Sequence, residues 1–212
     1  NMASALISGL LQQGYAAEQL RVVEINAESR EKIKHTLGVS AVAELADGVK
    51  GSDVILLAVK PQQLFELTQK LAPLLNSQLI LSIAAGIRVT DIIRWLGGYA
   101  RVVRAMPNTP SLVRSGVAGL YAAPGVGELD KKNAESILAA VGATLWVDDE
   151  EMLHTVTAIS GSGPAYVFYF IESMQQAGIE LGLTPAQARQ LGLQTFAGAS
   201  KLASLSDEDV AV

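Results

Sequence analysis

DVILLAVKPQ, at residues 53–62, is the stretch of this sequence that decides its fold class. The apolar run Val54–Val59 has no polar face, and such a run is typical of a strand covered by helices on both sides. Pro61 then ends the strand, because proline lacks the N–H that the ladder of a sheet requires. The stretch therefore predicts a central strand of a parallel sheet.

Further strand and helix patterns alternate on both sides of this run. Short apolar runs predict strands, and apolar residues at helical spacing predict the helices between them. The predicted strands are Arg21–Ile25, Leu79–Ile83, Arg101–Met106, Val117–Tyr121 and Thr144–Val147, and the predicted helices are Ala27–Leu37, Gln62–Leu75, Val89–Leu96 and Leu129–Val141. This alternation with short connections predicts a doubly wound α/β sheet.

The pattern changes after Asp148, where strands give way to helices. Helical spacing covers Asp149–Ile159, a Gly-rich break follows at 161–164, and a long helix is predicted over Ala165–Leu181. The first half of that helix is apolar nearly all round, which indicates burial in a core or against another subunit. We therefore expect two domains, residues 1–148 and residues 149–212.

Composition excludes several classes of protein. The chain has 212 residues, a net charge of −5 and no basic block, which argues against a nucleic-acid partner. The absence of cysteine excludes disulfides and thiolate nucleophiles, and His35 and His154 make no metal-binding spacing. No run approaches the length of about 20 residues that a membrane span needs. A cytoplasmic enzyme without a metal is expected.

The sequence opens on a helical pattern at residues 1–6 with no strand before it. In a dinucleotide-binding domain the first strand is central to the sheet. We therefore expect that the chain is an interior slice of a longer protein, that the first strand is missing and leaves a gap between its neighbours, and that the helical domain is incomplete at its C-terminus.

Three segments follow predicted strands, at the edge of the sheet where ligands of open α/β sheets bind. Ala58–Pro61 places Lys60 at this edge, and Ser82–Gly86 offers small side chains that let a flat ring approach the backbone. The third, Arg104–Pro110, contains Asn108, whose amide suits a carboxamide. The alternatives are a solvated lysine at a turn and an Asx-type turn at Asn108.

Two more segments suggest a bound nucleotide. The small residues of 3–9 fit a helix whose N-terminus holds a pyrophosphate, or merely a tightly packed helix. In Glu24–Arg30, an acid at the end of a strand favours NAD, whereas a nearby arginine favours the 2′-phosphate of NADP. Arg30 tips the balance towards NADP, and a solvated helix start is the alternative.

The Gly-rich segment at 155–166 gathers hydroxyls and free N–H groups. Thr157 lies about one turn before the Gly-rich break, and a threonine inside a helix usually donates back to a carbonyl. Ser162 is a candidate N-cap for the long helix.

Five stretches together resemble the pyrroline-5-carboxylate reductase family. They keep that family's order and spacing over nearly the whole chain, and they are Asn1-Met2, DVILLAVKPQ at 53–62, SIAAGI at 82–87, VVRAMPNTP at 102–110 and ISGSGPAYVF at 159–168. The resemblance implies a Rossmann-type domain that binds NAD(P)H, followed by an all-helical dimerisation domain. It also implies a homodimer, with assembly into a larger ring as a further expectation.

The activity implied by the resemblance is reduction of 1-pyrroline-5-carboxylate to L-proline, the last step of proline biosynthesis. NADPH is the expected cofactor, with NADH as an alternative. Thr157 would lie near the ring nitrogen of the substrate. The expected cofactor contacts are Asn1, Met2, Asn26, Ala58, Val59, Lys60, Pro61, Ala84, Ala85 and Gly86.

The sequence departs from the family pattern in three places. No Gly-x-Gly precedes Asn1, the Ser-x-Gly-Gly-Thr-Thr segment would lie beyond Val212, and the acid near the substrate corresponds only loosely to Asp207 or Glu208. Two alternative functions are a hydroxyacid-dehydrogenase-type or imine reductase and a non-catalytic NADP-binding assembly protein. The first needs a lysine deep in the helical domain, where Lys201 is the only one after Lys132.

Overall fold

The computed structural model describes residues 2–207 of the chain, in two compact units that meet in sequence at Gly161 and Ser162. The strands are β1 Arg21–Val23, β2 Ser40–Val42, β3 Val54–Leu57, β4 Leu79–Ser82, β5 Val102–Pro107, β6 Gly116–Ala122 and β7 Gly142–Trp146. The helices are α1 Met2–Gln12, α2 Ala27–Leu37, α3 Leu45–Val49, α4 Pro61–Leu71, α5 Val89–Trp95, α6 Glu128–Ala139, α7 Met152–Val156, α8 Gly163–Glu180 and α9 Pro185–Leu205. Short 3₁₀ turns cover 17–19, 72–74 and 109–113, and a π-helix covers Thr157–Gly161.

Five strands form the main sheet of the first unit, in the order β3-β4-β5-β6-β7. All its neighbouring pairs are parallel except β5 and β6, which are antiparallel. Helices cover the sheet, and the strand residues Leu79–Leu81 are fully buried in the core. The α/β class predicted from the alternating pattern is confirmed.

The prediction that Val54–Val59 is a central strand is wrong for residues 2–207. β3 is an edge of the five-stranded sheet, and β1 pairs with β2 in a separate two-stranded sheet. The run is apolar on both faces because both faces are partly covered: Val54, Ile55 and Leu56 are half-buried and Leu57 is buried. Apolarity on both faces thus reports the covering layers and not the number of neighbouring strands.

Local sequence signals fix the ends of several helices. The Asn26 side chain accepts a hydrogen bond from Ser29 N at the start of α2, and Gly38 ends that helix in the left-handed region with φ 69°. Pro61 occupies the first position of α4, where its missing N–H costs nothing. Thr184 and Gln187 form a capping box that begins α9.

The segment from 149 to 164 differs from its prediction of a helix and then a break. The α-helix is shorter than predicted, since α7 covers only Met152–Val156. It continues directly into the π-helix, so that no open loop precedes α8. Ser162 is the residue before α8, but it has helical dihedral angles and its side chain caps no backbone N–H. The predicted role of Ser162 as an N-cap is therefore wrong, because an N-cap needs an extended residue.

The second unit is a hairpin of α8 and α9. A Cβ added at Gly178 would lie 3.2 Å from Ala188 Cβ, so small residues let the two helices approach closely. Along α8 much aromatic surface is left exposed: Tyr166, Phe168, Tyr169 and Phe170 are 57–68% exposed, although the Phe170 ring centroid lies 6.3 Å from that of Phe196 on α9. The first half of α8 is therefore not buried in the core of the described chain. None of the described helices is long and apolar enough to cross a membrane.

Candidate functional site

The carboxyl ends of β3 and β4 lie side by side. The two strands are parallel with Leu57 opposite Ser82, and Ile83 N donates a hydrogen bond to Leu57 O across the ends at 3.1 Å. The segments 58–61 and 83–86 therefore leave the sheet at one edge. The structure thus brings together two of the segments that the sequence predicted to bind a nucleotide.

The exposure of these residues suits a ligand that touches backbone. Ala58, Lys60, Ala85 and Gly86 are exposed, Val59 and Pro61 are half-buried, and Ala84 is 4% exposed. Gly86 has φ 75°, which a residue with a side chain rarely adopts, and a Cβ placed there would meet nothing within 4 Å. Open space and small side chains at the ends of parallel strands are features of a site for a flat, extended molecule.

The start of α1 is the third predicted cofactor contact. Met2 is half-buried, and its side chain packs against the core, which leaves its backbone as the part that can contact a ligand. Asn1 lies outside the described residues. Unpaired N–H groups in the first turn of a helix of this length attract an anion such as pyrophosphate.

The end of β1 is held by hydrogen bonds within the segment 24–30. Asn26 N donates to Glu24 Oε1 at 2.9 Å, which turns that carboxylate towards its own backbone. The Arg30 guanidinium lies over the same turn, where Nη1 donates to Glu24 O and Ile25 O at 2.8 and 2.9 Å. The Glu24 carboxylate is thus hydrogen-bonded within its own turn, and the Arg30 guanidinium is held near the exposed Asn26.

The π-helix lies against the carboxyl end of β5. Asn108, just after β5, donates from Nδ2 to Ser160 O at 3.0 Å and accepts from Val117 N at Oδ1 at 2.9 Å. A Cβ added at Gly161 would lie 3.4 Å from Met106 Cε. Asn108 is buried, and one N–H and the oxygen of its amide are used within the fold, so the contact of its amide with a carboxamide stays a prediction.

Thr157 is the first residue of this π-helix and is half-buried. Its Oγ1 donates to Leu153 O at 2.7 Å, the local bond expected of a threonine inside a helix. The hydroxyl proton is therefore committed, while the lone pairs of the oxygen remain able to accept a hydrogen bond. π-Helical turns inside longer helices occur frequently at functional sites.

Sequence reasoning missed one buried charge beside these segments. Arg104 on β5 is 3% exposed, and its Nη1 donates to Glu150 Oε1 at 2.7 Å. Glu150 belongs to an acidic run at 148–151 that is typical of a solvated start of a helix, so nothing in the sequence distinguishes it from its neighbours. Only the fold shows that one of these four acids is turned inward.

The remaining polar groups define no metal site. Among residues 2–207, no group of three or more His, Asp or Glu side chains could hold a metal ion. Asp207, one of the two acids considered for the substrate, is exposed, and Glu208 lies outside the described residues. The arrangement can therefore hold an extended nucleotide at the strand ends and offer a hydroxyl oxygen from the π-helix.

Two family models match parts of the sequence. Residues 150–212 match "Pyrroline-5-carboxylate reductase dimerisation", and residues 1–86 match "NADP oxidoreductase coenzyme F420-dependent".

Curated proteins and solved structures are similar over nearly the whole chain. The pyrroline-5-carboxylate reductase of Pseudomonas aeruginosa is 46% identical over 212 residues, which are 100% of this chain and 78% of that protein. The structure of a pyrroline-5-carboxylate reductase from Coxiella burnetii superposes with a TM-score of 0.95 at 38% identity, over 99% of this chain and 78% of that chain. The Plasmodium falciparum pyrroline carboxylate reductase with NADP bound has a TM-score of 0.87 at 30% identity, over the same shares of the two chains.

Proposed function

Because this chain belongs to the pyrroline-5-carboxylate reductase family, we propose that the strand-end segments and the π-helix described above form its cofactor and substrate site. The family reaction is the reduction of 1-pyrroline-5-carboxylate to L-proline with NAD(P)H, the last step of proline biosynthesis, and this chain is an oxidoreductase of that kind. The observation that carries the site assignment is the shared edge at the carboxyl ends of β3 and β4.

The residues at this edge fit a dinucleotide. The proposed contacts are Asn1, the backbone of Met2 at the start of α1, Asn26 at the turn after β1, and Ala58, Val59, Lys60, Pro61, Ala84, Ala85 and Gly86 at the strand ends. Small side chains and the open space over Gly86 support the approach of a flat ring to the backbone. A bound nicotinamide supplies the hydride, and the chain supplies binding, orientation and a site that excludes water.

NADP is the cofactor of this family, and the turn after β1 supports a preference for NADPH over NADH. A carboxylate aimed at the ribose would favour NADH. Here the Glu24 carboxylate accepts from Asn26 N, and the Arg30 guanidinium lies over the turn. We propose that the 2′-phosphate binds between Asn26 and Arg30.

Thr157 is proposed as the contact with the substrate nitrogen. A protonated imine carries an N–H, and an oxygen whose own proton is donated elsewhere is well suited to accept from it. The hydrogen bond from Thr157 Oγ1 to Leu153 O leaves the oxygen in that state. Thr157 therefore orients the imine, and a direct proton transfer from Thr157 would first require its bond to Leu153 to break.

The test of this assignment is steady-state kinetics of Thr157 variants. Thr157→Ala removes the acceptor, and we expect kcat to fall about 10- to 100-fold at saturating imine, in the range of one lost interaction at a reacting centre. Thr157→Ser keeps the hydroxyl and should retain most of the activity. Full kcat and KM in Thr157→Ala would exclude the assignment.

The chain homo-oligomerises through its C-terminal region, which matches the dimerisation domain of the family. We propose that the exposed aromatic face of α8 is the contact between subunits and that dimers assemble further into a ring. We also propose a functional boundary near residue 149, which the start of the family match at 150 supports. A cytoplasmic location stays a prediction.

A further inference from the structure

One carboxylate joins three segments of the proposed site. Glu150 Oε1 accepts from Arg104 Nη1 at 2.7 Å and from Val89 N at 2.8 Å. The Arg104 and Glu150 side chains are only 4% and 14% exposed, so water does not screen the contact strongly.

Each of the three segments leads to a group that the reaction uses. Val89 is the first residue of α5 and directly follows the loop 83–88. This loop carries the proposed cofactor contacts Ala84, Ala85 and Gly86. Arg104 lies on β5, which continues to Asn108 and its bond with the π-helix. Glu150 precedes α7, which runs directly into the π-helix and Thr157. Glu150 thus joins the end of the cofactor loop to β5 and to the segment that leads to Thr157.

A second acid beside it makes a different contact with the same loop. Glu151 pairs with Arg88 at 2.6 Å, but both side chains are more than half exposed. Exposed pairs contribute little, because water and salt screen them. Glu150 therefore differs from Glu151 in two ways: its side chain is more buried, and it accepts a hydrogen bond from the backbone N–H of Val89.

We propose that Glu150 is a positioning residue, which holds the loop 83–88 in its cofactor-binding conformation through the hydrogen bond from Val89 N. The proposal rests on the cofactor site assigned above. A purely structural ion pair would affect the stability of the fold alone. A positioning residue also sets the affinity for the cofactor in variants that are fully folded.

The sharpest test removes the donor and leaves the ion pair intact. Val89 is the first residue of a helix and follows the extended Arg88, which is a position where proline is accommodated. Val89→Pro deletes the N–H, and Val89→Ala is the matched control that shortens the same buried side chain but keeps the N–H. We expect the Kd and KM for NADPH to be about 10-fold higher in Val89→Pro than in Val89→Ala. Equal values in the two variants would overturn the proposal.

If Val89→Pro does not fold, a second comparison tests the same hydrogen bond by changing its acceptor, Glu150. Arg104→Leu combined with Glu150→Gln keeps an amide oxygen opposite Val89 N, whereas Arg104→Leu combined with Glu150→Ala keeps none. Both pairs remove the buried charge that would otherwise be left without a partner. We expect a rise in the Kd for NADPH only in the pair with alanine, and no change in Glu151→Ala.

The readouts separate this proposal from the function on which it rests. Binding of NADPH is followed by fluorescence titration, imine reduction by absorbance, and folding by thermal unfolding, all on the full-length protein. NADPH binding without imine reduction in the wild type would contradict the function but would still test Glu150 through the Kd values. Wild-type protein that does not bind NADPH would contradict both.

Discussion

At the scale of single residues, the proposed site depends on side chains that already make hydrogen bonds within the fold. Thr157 donates to Leu153 O, Asn26 caps α2, and Arg30 donates to two carbonyls at the end of β1. Each group therefore has a fixed orientation before any ligand binds, and fixed groups recognise a ligand at a lower cost in entropy than mobile ones. The cofactor preference should respond to a single substitution at Arg30.

We predict that Arg30→Gln raises the KM for NADPH about 10-fold and leaves the KM for NADH nearly unchanged, because only NADPH carries the 2′-phosphate. Steady-state kinetics with each cofactor measure the two constants. The neighbouring exposed Glu31→Gln is the control and should change neither. Equal effects on both cofactors would show that Arg30 only supports the turn.

A second residue-scale prediction concerns stability at alkaline pH. Tyr99 donates its phenol hydrogen to Gln78 O at 2.6 Å. Burial raises the pKa of the Tyr99 phenol above its ordinary value, the Arg101 guanidinium opposes the shift, and the Asp130 carboxylate adds to it. The stabilisation is therefore complete below about pH 10, the pKa of an unfolded tyrosine, and is lost as the pH rises through the raised pKa.

Urea unfolding of wild type and Tyr99→Phe between pH 8 and 11 measures this effect. The wild type should lose free energy of unfolding more steeply above pH 10 than Tyr99→Phe, which has no proton to lose at this position. Parallel curves for the two proteins would contradict the assignment.

At the scale of elements, the seating of α7 on the sheet places Thr157. A Cβ added at Gly119 on β6 would lie 2.8 Å from Val156 Cγ1 and 3.2 Å from Leu153 Cδ2, so α7 packs directly on the backbone of the strand. Only glycine permits this approach without movement. The position of the π-helix therefore depends on a residue of β6 that is not among the proposed ligand contacts.

We predict that Gly119→Ala destabilises the protein by about 1–3 kcal/mol, the usual cost of overpacking a core. It should also lower kcat, because α7 shifts together with Thr157. Chemical denaturation and kinetics measure the two effects. Val156→Ala combined with Gly119→Ala makes room for the new methyl group. The double variant should therefore lose less free energy of unfolding than the sum of the losses in the two single variants. Strict additivity would show that the two residues do not touch.

The elements that the sequence predicted well are those with a local signal. Apolar runs located six of the seven strands of residues 2–207 within a few residues, whereas β2 and α3 were not predicted, and Asn26 and Gly38 cap the two ends of α2. Strand direction has no such signal, so the antiparallel pairing of β6 was not predicted. The π-helix was also not predicted, because its position depends on tertiary contacts with Asn108 and Met106.

At the scale of the whole molecule, the exposed face of α8 argues for more than one subunit. The sequence left two explanations for its apolar residues, and their exposure in the described chain excludes burial in the chain's own core. Four large aromatic side chains on one helix are more apolar surface than single scattered residues provide, and such patches mark sites of association. The dimerisation match over the same region agrees with this.

We predict that Phe168→Glu dissociates the oligomer, because the proposed contact buries this side chain between subunits and the variant would place a charge there. Light scattering after size exclusion measures the mass. Leu129→Glu is the matched control, since Leu129 on α6 is as exposed as Phe168, at 72% and 66%, but lies outside the α8–α9 hairpin. Dissociation in both variants, or in neither, would contradict the proposed contact.

Only those parts of the proposed site that follow directly after a strand could be predicted from the sequence. Ala58–Pro61 and Ala84–Gly86 follow apolar runs, and the parallel pairing of those runs brings them together. Glu150 was not predictable, since burial of one acid in a run of four depends on the position of Arg104 on a strand 46 residues away.

We propose that this chain reduces a cyclic imine at the carboxyl ends of β3 and β4. The first measurement to make follows absorbance at 340 nm as full-length protein oxidises NADPH in the presence of 1-pyrroline-5-carboxylate, with proline identified as the product. We expect oxidation that requires the imine, is faster with NADPH than with NADH, and forms one proline for each NADPH consumed. NADPH binding without imine-dependent oxidation would overturn this proposal.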